Sequence, residues 1–122
     1  MTIFIEDTFD AAHFLPNVPV GHKCRNLHGH TYKVRIEVTG EVEPASGWVI
    51  DYAVVKEAWT PVKALVDHKC LNYAIPELEN STCENLAQWI WGHLKLSIPD
   101  LSKLEVRETA NCGVVYTGEG NQ

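Results

Sequence analysis

Among the 122 residues no two cysteines stand in a C-x-x-C spacing, which excludes a zinc ribbon and a thioredoxin-like redox motif. Positive charge is also scarce. Ten lysines and arginines against sixteen acids leave a net charge of −6, which argues against binding nucleic acid or an anionic membrane. Apolar runs fall far short of the roughly 18 residues that a membrane span requires. The start, Met1 to Asp7, has no basic segment and turns acidic at Glu6, unlike a secretory leader. Repeats, low-complexity tracts and linkers are missing, so 1–122 reads as one domain. A cytoplasmic, reduced protein is the expectation, with Cys24, Cys70, Cys83 and Cys112 as free thiols.

What is present is a clear change of periodicity. Tyr32, Val34, Ile36 and Val38 alternate with Lys33, Arg35, Glu37 and Thr39, the two-residue period of a strand with unlike faces. A shorter strand is expected at Ile3 to Phe9, a turn at Glu43 to Gly47 and a brief strand end at Trp48 to Ile50. From Asp51 the period becomes helical, with Tyr52, Val55, Trp59, Val62 and Val66 on one stripe. Pro61 within that stripe predicts a kink or an early stop. Ser81-Thr82-Cys83-Glu84 matches a capping box with Ser81 as N-cap, opening a second helix that Pro99 ends. Leu104 and Val106, then Val114 to Tyr116, predict a closing hairpin. This order implies an α+β fold: a four-stranded antiparallel sheet with two helices on one face. The other face, carrying Lys33, Arg35, Glu37, Glu105 and Arg107, is too polar for a core and would line water or a channel. Two open sheet edges make oligomerisation a reasonable expectation.

Six histidines are enough for a metal site. His28 and His30, two apart on extended chain, project to one side, and Gly29 between them leaves room for a close approach. A third ligand is needed, and His13 is the best candidate if the first strand pairs with the second. Three protein ligands and an open position are the pattern of a catalytic zinc. The plainer alternative is that these histidines pack or hydrogen-bond, as His22 and His93 do at a surface or a cap. Cys24 is flanked by His22, Lys23 and Arg25, company that favours a thiolate. The other three cysteines lack it and read as structural. Asp67-His68 follows the first helix, either as an oriented acid–base pair or as an imidazolium near a helix C-terminus. Glu108 falls by alternation on the face of Leu104 and Val106, where a carboxylate needs a job such as two-point capture of an N–H/NH2 edge. Glu84 is explained by the capping box alone.

Five blocks resemble one family in order along nearly the whole chain. Cys24-Arg25-Asn26-Leu27-His28-Gly29-His30 resembles the C-x-x-x-H-G-H motif of the 6-pyruvoyl-tetrahydropterin synthase family. Phe9 to His13, Leu65 to His68 with Leu71-Asn72, Ser81 to Ala87, and Val106 to Thr109 are similar to its other segments. Length and Leu27 within the motif resemble the bacterial branch of 6-carboxytetrahydropterin synthases in queuosine biosynthesis; members in folate synthesis carry a glutamate there. The resemblance implies a T-fold, in which sheets of several subunits, usually six, close a β-barrel with active sites at subunit interfaces. It implies zinc on His13, His28 and His30, and Cys24 as general base. Asp67 and His68 are implied to complete the catalytic group, from the same or a neighbouring subunit. Glu108 is implied as pterin anchor, with Glu84 close to the same ring. Cys83, where many relatives have threonine, departs from the pattern. The implied substrate is 7,8-dihydroneopterin triphosphate, which loses triphosphate and, in the carboxy enzyme, acetaldehyde. The pyruvoyl reaction and a non-catalytic zinc- or ligand-binding domain are the alternatives. Lys23 and Arg25 supply local positive charge for the triphosphate despite the overall −6.

Overall fold

Alternation drives the sheet. The computed structural model describes residues 1–119. β1 (Thr2–His13) and β2 (His28–Thr39) pair antiparallel over their full lengths. Ile5, Phe9, Ala11 and His13 of β1 lie buried, as do Tyr32, Val34, Ile36 and Val38 of β2, while the alternate residues are more exposed. β4 (Leu101–Thr109) pairs with β2, and β5 (Cys112–Tyr116) with β4, both antiparallel. In the β4–β5 hairpin, a Cβ on Gly113 would lie 2.5 Å from the Val106 carbonyl oxygen, so only glycine fits there.

Helices α1 (Tyr52–Val66) and α3 (Cys83–Ser97) cover the apolar face. α1 buries Val55, Trp59, Val62 and Val66, the expected stripe apart from Tyr52, which is exposed. α3 buries Leu86, Ala87, Ile90, Trp91 and Leu94. Pro61 does not stop α1. Pro61 and Glu57, whose carbonyl lacks its usual partner, are both exposed, so water can take that bond. The other face carries the expected charges, organised as ion pairs: Arg35 with Glu37 at 3.0 Å, Lys33 with Glu6 at 3.6 Å, and Arg107 with Glu105.

Four expectations need correction. The sheet has a fifth strand, β3 (Lys69–Cys70), which adds in parallel to β1 at Ala11 and Ala12, giving the order β3-β1-β2-β4-β5. Two residues are too few to show a period. A one-turn helix, α2 (Leu71–Ala74), follows it, so the described residues hold three helices. Trp48 to Ile50 form bends instead of a strand: Glu43 turns the chain by accepting the Ala45 and Ser46 N–H groups. The N-cap of α3 is Thr82, whose Oγ1 accepts the Asn85 N–H at 3.1 Å. Ser81 is fully buried and bonded elsewhere, so Glu84 sits one place earlier in the first turn than a capping box requires.

Asp7 ties α1 to the sheet. Its Oδ2 accepts from Trp59 Nε1 at 2.9 Å and Lys63 Nζ at 3.0 Å. Partial burial opposes its charge, but these bonds outweigh it and hold the carboxyl below its ordinary value. A depressed folded-state pKa contributes stability above the unfolded value, and that stability is lost as pH falls through the folded one. Asp7→Asn is therefore expected to lower unfolding free energy by about 1 kcal/mol at neutral pH, discounted for exposure. In urea titrations the gap between the two proteins should close on acidification.

Candidate metal centre and active site

The β1–β2 register sets His13 directly opposite His28 and Ala11 opposite His30. All three imidazoles therefore project to the helix-covered face, at the end of the core above Tyr32 and Phe9. One ligand nitrogen from each lies within 4.8 Å of the other two. Ring centroids are 4.6 Å apart for His13 and His28, and 5.0 Å for His28 and His30.

The protonation of two rings follows from their partners. His13 Nδ1 lies 2.8 Å from the Ser81 carbonyl oxygen and His28 Nδ1 2.7 Å from that of Asn26. A carbonyl can only accept, so both Nδ1 atoms carry the hydrogen, and in the neutral ring Nε2 is the nitrogen left with a free lone pair. Among the described residues His13 Nε2 and His30 Nε2 are buried without a hydrogen-bond partner. Glu108 Oε2 comes within 3.1 Å of His30 Nε2, but out of line for a hydrogen bond. Buried imidazole nitrogens left without partners, on rings steered by backbone carbonyls, fit a bound metal ion. Burial holds His13 below the ordinary imidazole value, outweighing the Ser81 bond; it does the same to His30 despite Glu108. These rings are thus neutral and ligand-competent at neutral pH. Gly29 points to the opposite face, where a Cβ would make ordinary contact with the Ala11 oxygen at 3.5 Å, so close packing within the chain does not demand glycine there.

Glu108 also faces two buried groups. Burial, then Glu108 and Cys83, pushes the Tyr32 phenol well above its ordinary value, and its hydroxyl has no hydrogen-bond partner among the described residues. The Cys83 thiol is pushed up to about 12 by burial, Glu108 and Glu84, and donates to the Val106 carbonyl at 3.4 Å. Cys83 is therefore a neutral thiol turned into the core, as a structural residue should be. Glu84 is exposed on the first turn of α3, where the helix dipole favours its charge.

A second group forms around Asp10, whose carboxylate lies within 4.8 Å of Asp67 and His68. Asp67 caps the C-terminus of α1 and accepts the Asp10 N–H at 3.0 Å and His68 Nδ1 at 3.1 Å. The Asp10 bond first, and His68 beside it, hold the Asp67 carboxyl below its ordinary value. His68 is exposed and adopts φ 59°, a left-handed conformation that costs a non-glycine residue about 1 kcal/mol or more. Its N–H is fastened to the Asp10 carbonyl at 2.6 Å. Asp10 also accepts from Thr31, its cross-strand partner, so this group belongs to the face opposite the histidine triad. A groove of about 590 Å³, lined by Asp10, Ala12, Gly29, Thr31, His68 and Cys70 among others, runs along it.

Cys24 is half-buried on a 3-10 turn, Lys23–Arg25, which His22 caps through Nδ1. The Leu15 N–H bonds the Cys24 carbonyl at 2.7 Å and ties this turn beside the end of β1. Arg25 Nη1 donates to the Pro16 and Val18 carbonyls and braces the preceding loop. Lys23 is exposed; its carbonyl accepts the Asn26 N–H at 3.2 Å, but among the described residues its side chain makes no hydrogen bond or ion pair. Sequence reasoning missed Asp10, Thr31, Tyr32, Asn72 and Ser81 as parts of these sites. Asp10, Asn72 and Ser81 lie in segments of the resemblance, Ser81 also read as a helix cap and Tyr32 as part of an alternating strand, but no local spacing marks any of the five as part of a site.

Titration of the metal-free chain with a divalent transition metal is expected to saturate at one ion per chain. His28→Ala and His30→Ala should each weaken binding on the order of 100-fold or more with unchanged circular dichroism. Affinity should hold at neutral pH and fall once acid takes His13 and His30 through their lowered values.

The family model described as 6-pyruvoyl tetrahydropterin synthase matches residues 2–119. A human 6-pyruvoyl tetrahydrobiopterin synthase is 40% identical over 110 residues, 84% of this chain and 76% of that protein. The 6-carboxy-5,6,7,8-tetrahydropterin synthase of a Synechocystis strain is 37% identical over 120 residues, 93% of this chain and 91% of the other. Among solved structures, 6-pyruvoyl tetrahydropterin synthase of Caenorhabditis elegans superposes with TM-score 0.90 at 32% identity, covering 97% and 95% of the two chains. The Plasmodium falciparum protein of the same name shares the fold at TM-score 0.73 and 19% identity, over 95% and 96%. The chain has the α+β T-fold, and it belongs to the 6-pyruvoyl tetrahydropterin synthase family.

Proposed function

We propose that this chain is a zinc-dependent 6-carboxy-5,6,7,8-tetrahydropterin synthase. It converts 7,8-dihydroneopterin triphosphate to 6-carboxytetrahydropterin with release of triphosphate and acetaldehyde, in queuosine biosynthesis. The observation that carries the metal reading is the set of three imidazoles with unpartnered or free Nε2 atoms, on a chain of a pterin-synthase family. The carboxy reaction is favoured because the alignment with the Synechocystis enzyme runs through nearly the whole of both chains. The pyruvoyl reaction is the second reading, supported by the slightly higher identity to the human enzyme.

In this reading His13, His28 and His30 hold the zinc, which when bound would polarise the substrate side-chain hydroxyls as a Lewis acid. Cys24 takes a proton from the side chain as general base. His68 exchanges another: its Nδ1 donates to Asp67, which orients the ring and leaves Nε2 to meet substrate. Glu108 accepts two N–H groups from the pterin edge, with Glu84 nearby, and Lys23 and Arg25 provide charge for the triphosphate. The Asp67–His68 pair sits on the face opposite the triad, which supports the reading that a site using both is built from two copies. Assembly into a hexameric barrel would supply this, with the ion-paired sheet face turned to its interior. Four unpaired thiols suit a reducing, cytoplasmic compartment.

Incubation of zinc-loaded protein with dihydroneopterin triphosphate, with products identified by mass, is expected to yield a 6-carboxy pterin and acetaldehyde. A pyruvoyl product without acetaldehyde would select the second reading. No conversion, with activity unchanged by Cys24→Ala in any assay, would favour a non-catalytic binding domain. Lys23→Ala is expected to raise KM for the triphosphate about 2- to 5-fold with little change in kcat, as loss of one exposed ionic contact implies.

A further inference from the structure

The hydrogen bond from His13 Nδ1 to the Ser81 carbonyl joins residues 68 apart in sequence. Something must hold its two ends together, and one side chain touches both. Asn72, on α2, donates from Nδ2 to the Phe14 carbonyl at 2.8 Å and to the Glu79 carbonyl at 2.9 Å. Its Oδ1 accepts the Phe14 N–H at 3.0 Å and the Ser81 hydroxyl at 3.1 Å. Both amide hydrogens and both oxygen lone pairs are thereby used. Phe14 is the residue after His13, and Glu79 to Ser81 is the loop that delivers the acceptor carbonyl. The Ser81 hydroxyl, donating to Asn72, turns a lone pair toward His13 Nδ1 at 3.3 Å. Ser81 and His13 are both buried, so water cannot replace a lost partner easily.

We propose that Asn72, acting with Ser81, is a positioning residue for the metal centre: it fixes the His13 tautomer and ring orientation and so sets the affinity for the ion. The proposal rests on the metal reading of the triad. Without the Asn72 amide, the Phe14 N–H and the Glu79 carbonyl lose their partners, the Phe14 carbonyl keeps only the Ser81 hydroxyl at 3.4 Å, and the loop is free to shift against the end of β1. His13 Nδ1 then has no fixed acceptor, and its hydrogen can move to Nε2, the nitrogen that must stay bare to bind.

Two readouts test this. Zinc affinity, measured by competition with a chelator, is expected to fall about 10- to 100-fold in Asn72→Ala, the usual effect of losing a partner behind a ligand. In the metal-free protein, nitrogen NMR of His13 should show one Nδ1–H tautomer in wild type and a mixture in the variant. Ser81→Ala keeps the carbonyl and three of the four Asn72 bonds; it should weaken zinc a few-fold and serves if Asn72→Ala does not fold. Wild-type affinity and a single tautomer in a folded Asn72→Ala, or in Ser81→Ala where that one is used, overturn the proposal alone. A wild-type chain that binds no zinc overturns the metal reading as well.

Discussion

Twelve consecutive residue pairs lock β1 to β2, and the last of them sets His13 against His28. A slip of one residue would send His13, or both His28 and His30, to the solvent face and turn the buried set of Phe9, Tyr32 and Val34 out of register with it. The core therefore defines the site. Phe9 stacks on Tyr32 with centroids 4.9 Å apart, and Tyr32 in turn meets His30 and His13 edge-on at 5.4 and 6.0 Å. The imidazoles are the polar end of a row that is otherwise hydrophobic.

This placement has electrostatic consequences. Burial keeps His13 and His30 neutral, which suits metal ligands, and keeps Tyr32 and Cys83 protonated beside Glu108. Backbone carbonyls from loops, those of Ser81 and Asn26, then choose which nitrogen faces inward. On the opposite face, Asp10, Asp67 and His68 are more open to water and held by bonds to the backbone of β1 and by the left-handed turn at His68. The two faces thus carry two different titratable groups, a buried imidazole triad and a more open group of two carboxylates and an imidazole.

Much of this was legible from periodicity and motif. The long alternating strand, both long helices and the gathering of three histidines follow from residue spacing and type. What escaped did so for identifiable reasons. Ser81 and Thr82 are both good caps, and only the demand of His13 and Asn72 for the Ser81 groups decides that Thr82 caps α3. β3 is two residues long and exists because it lies beside Ala11 and Ala12, not through any pattern of its own. Pro61 could be judged a helix breaker locally, yet exposure of its surroundings makes the lost bond cheap. Asp10 meets Asp67 57 residues away and Asn72 meets Phe14 58 residues away, distances no local pattern spans.

The central claim is that the triad binds through its Nε2 atoms. Anomalous diffraction at the zinc edge from crystals of the zinc-loaded protein tests it directly. One ion per chain is predicted, bound by Nε2 of His13, His28 and His30 at about 2.0–2.1 Å. An ion held through Nδ1, or one found at Asp10, Asp67 and His68 with the triad empty, would contradict it.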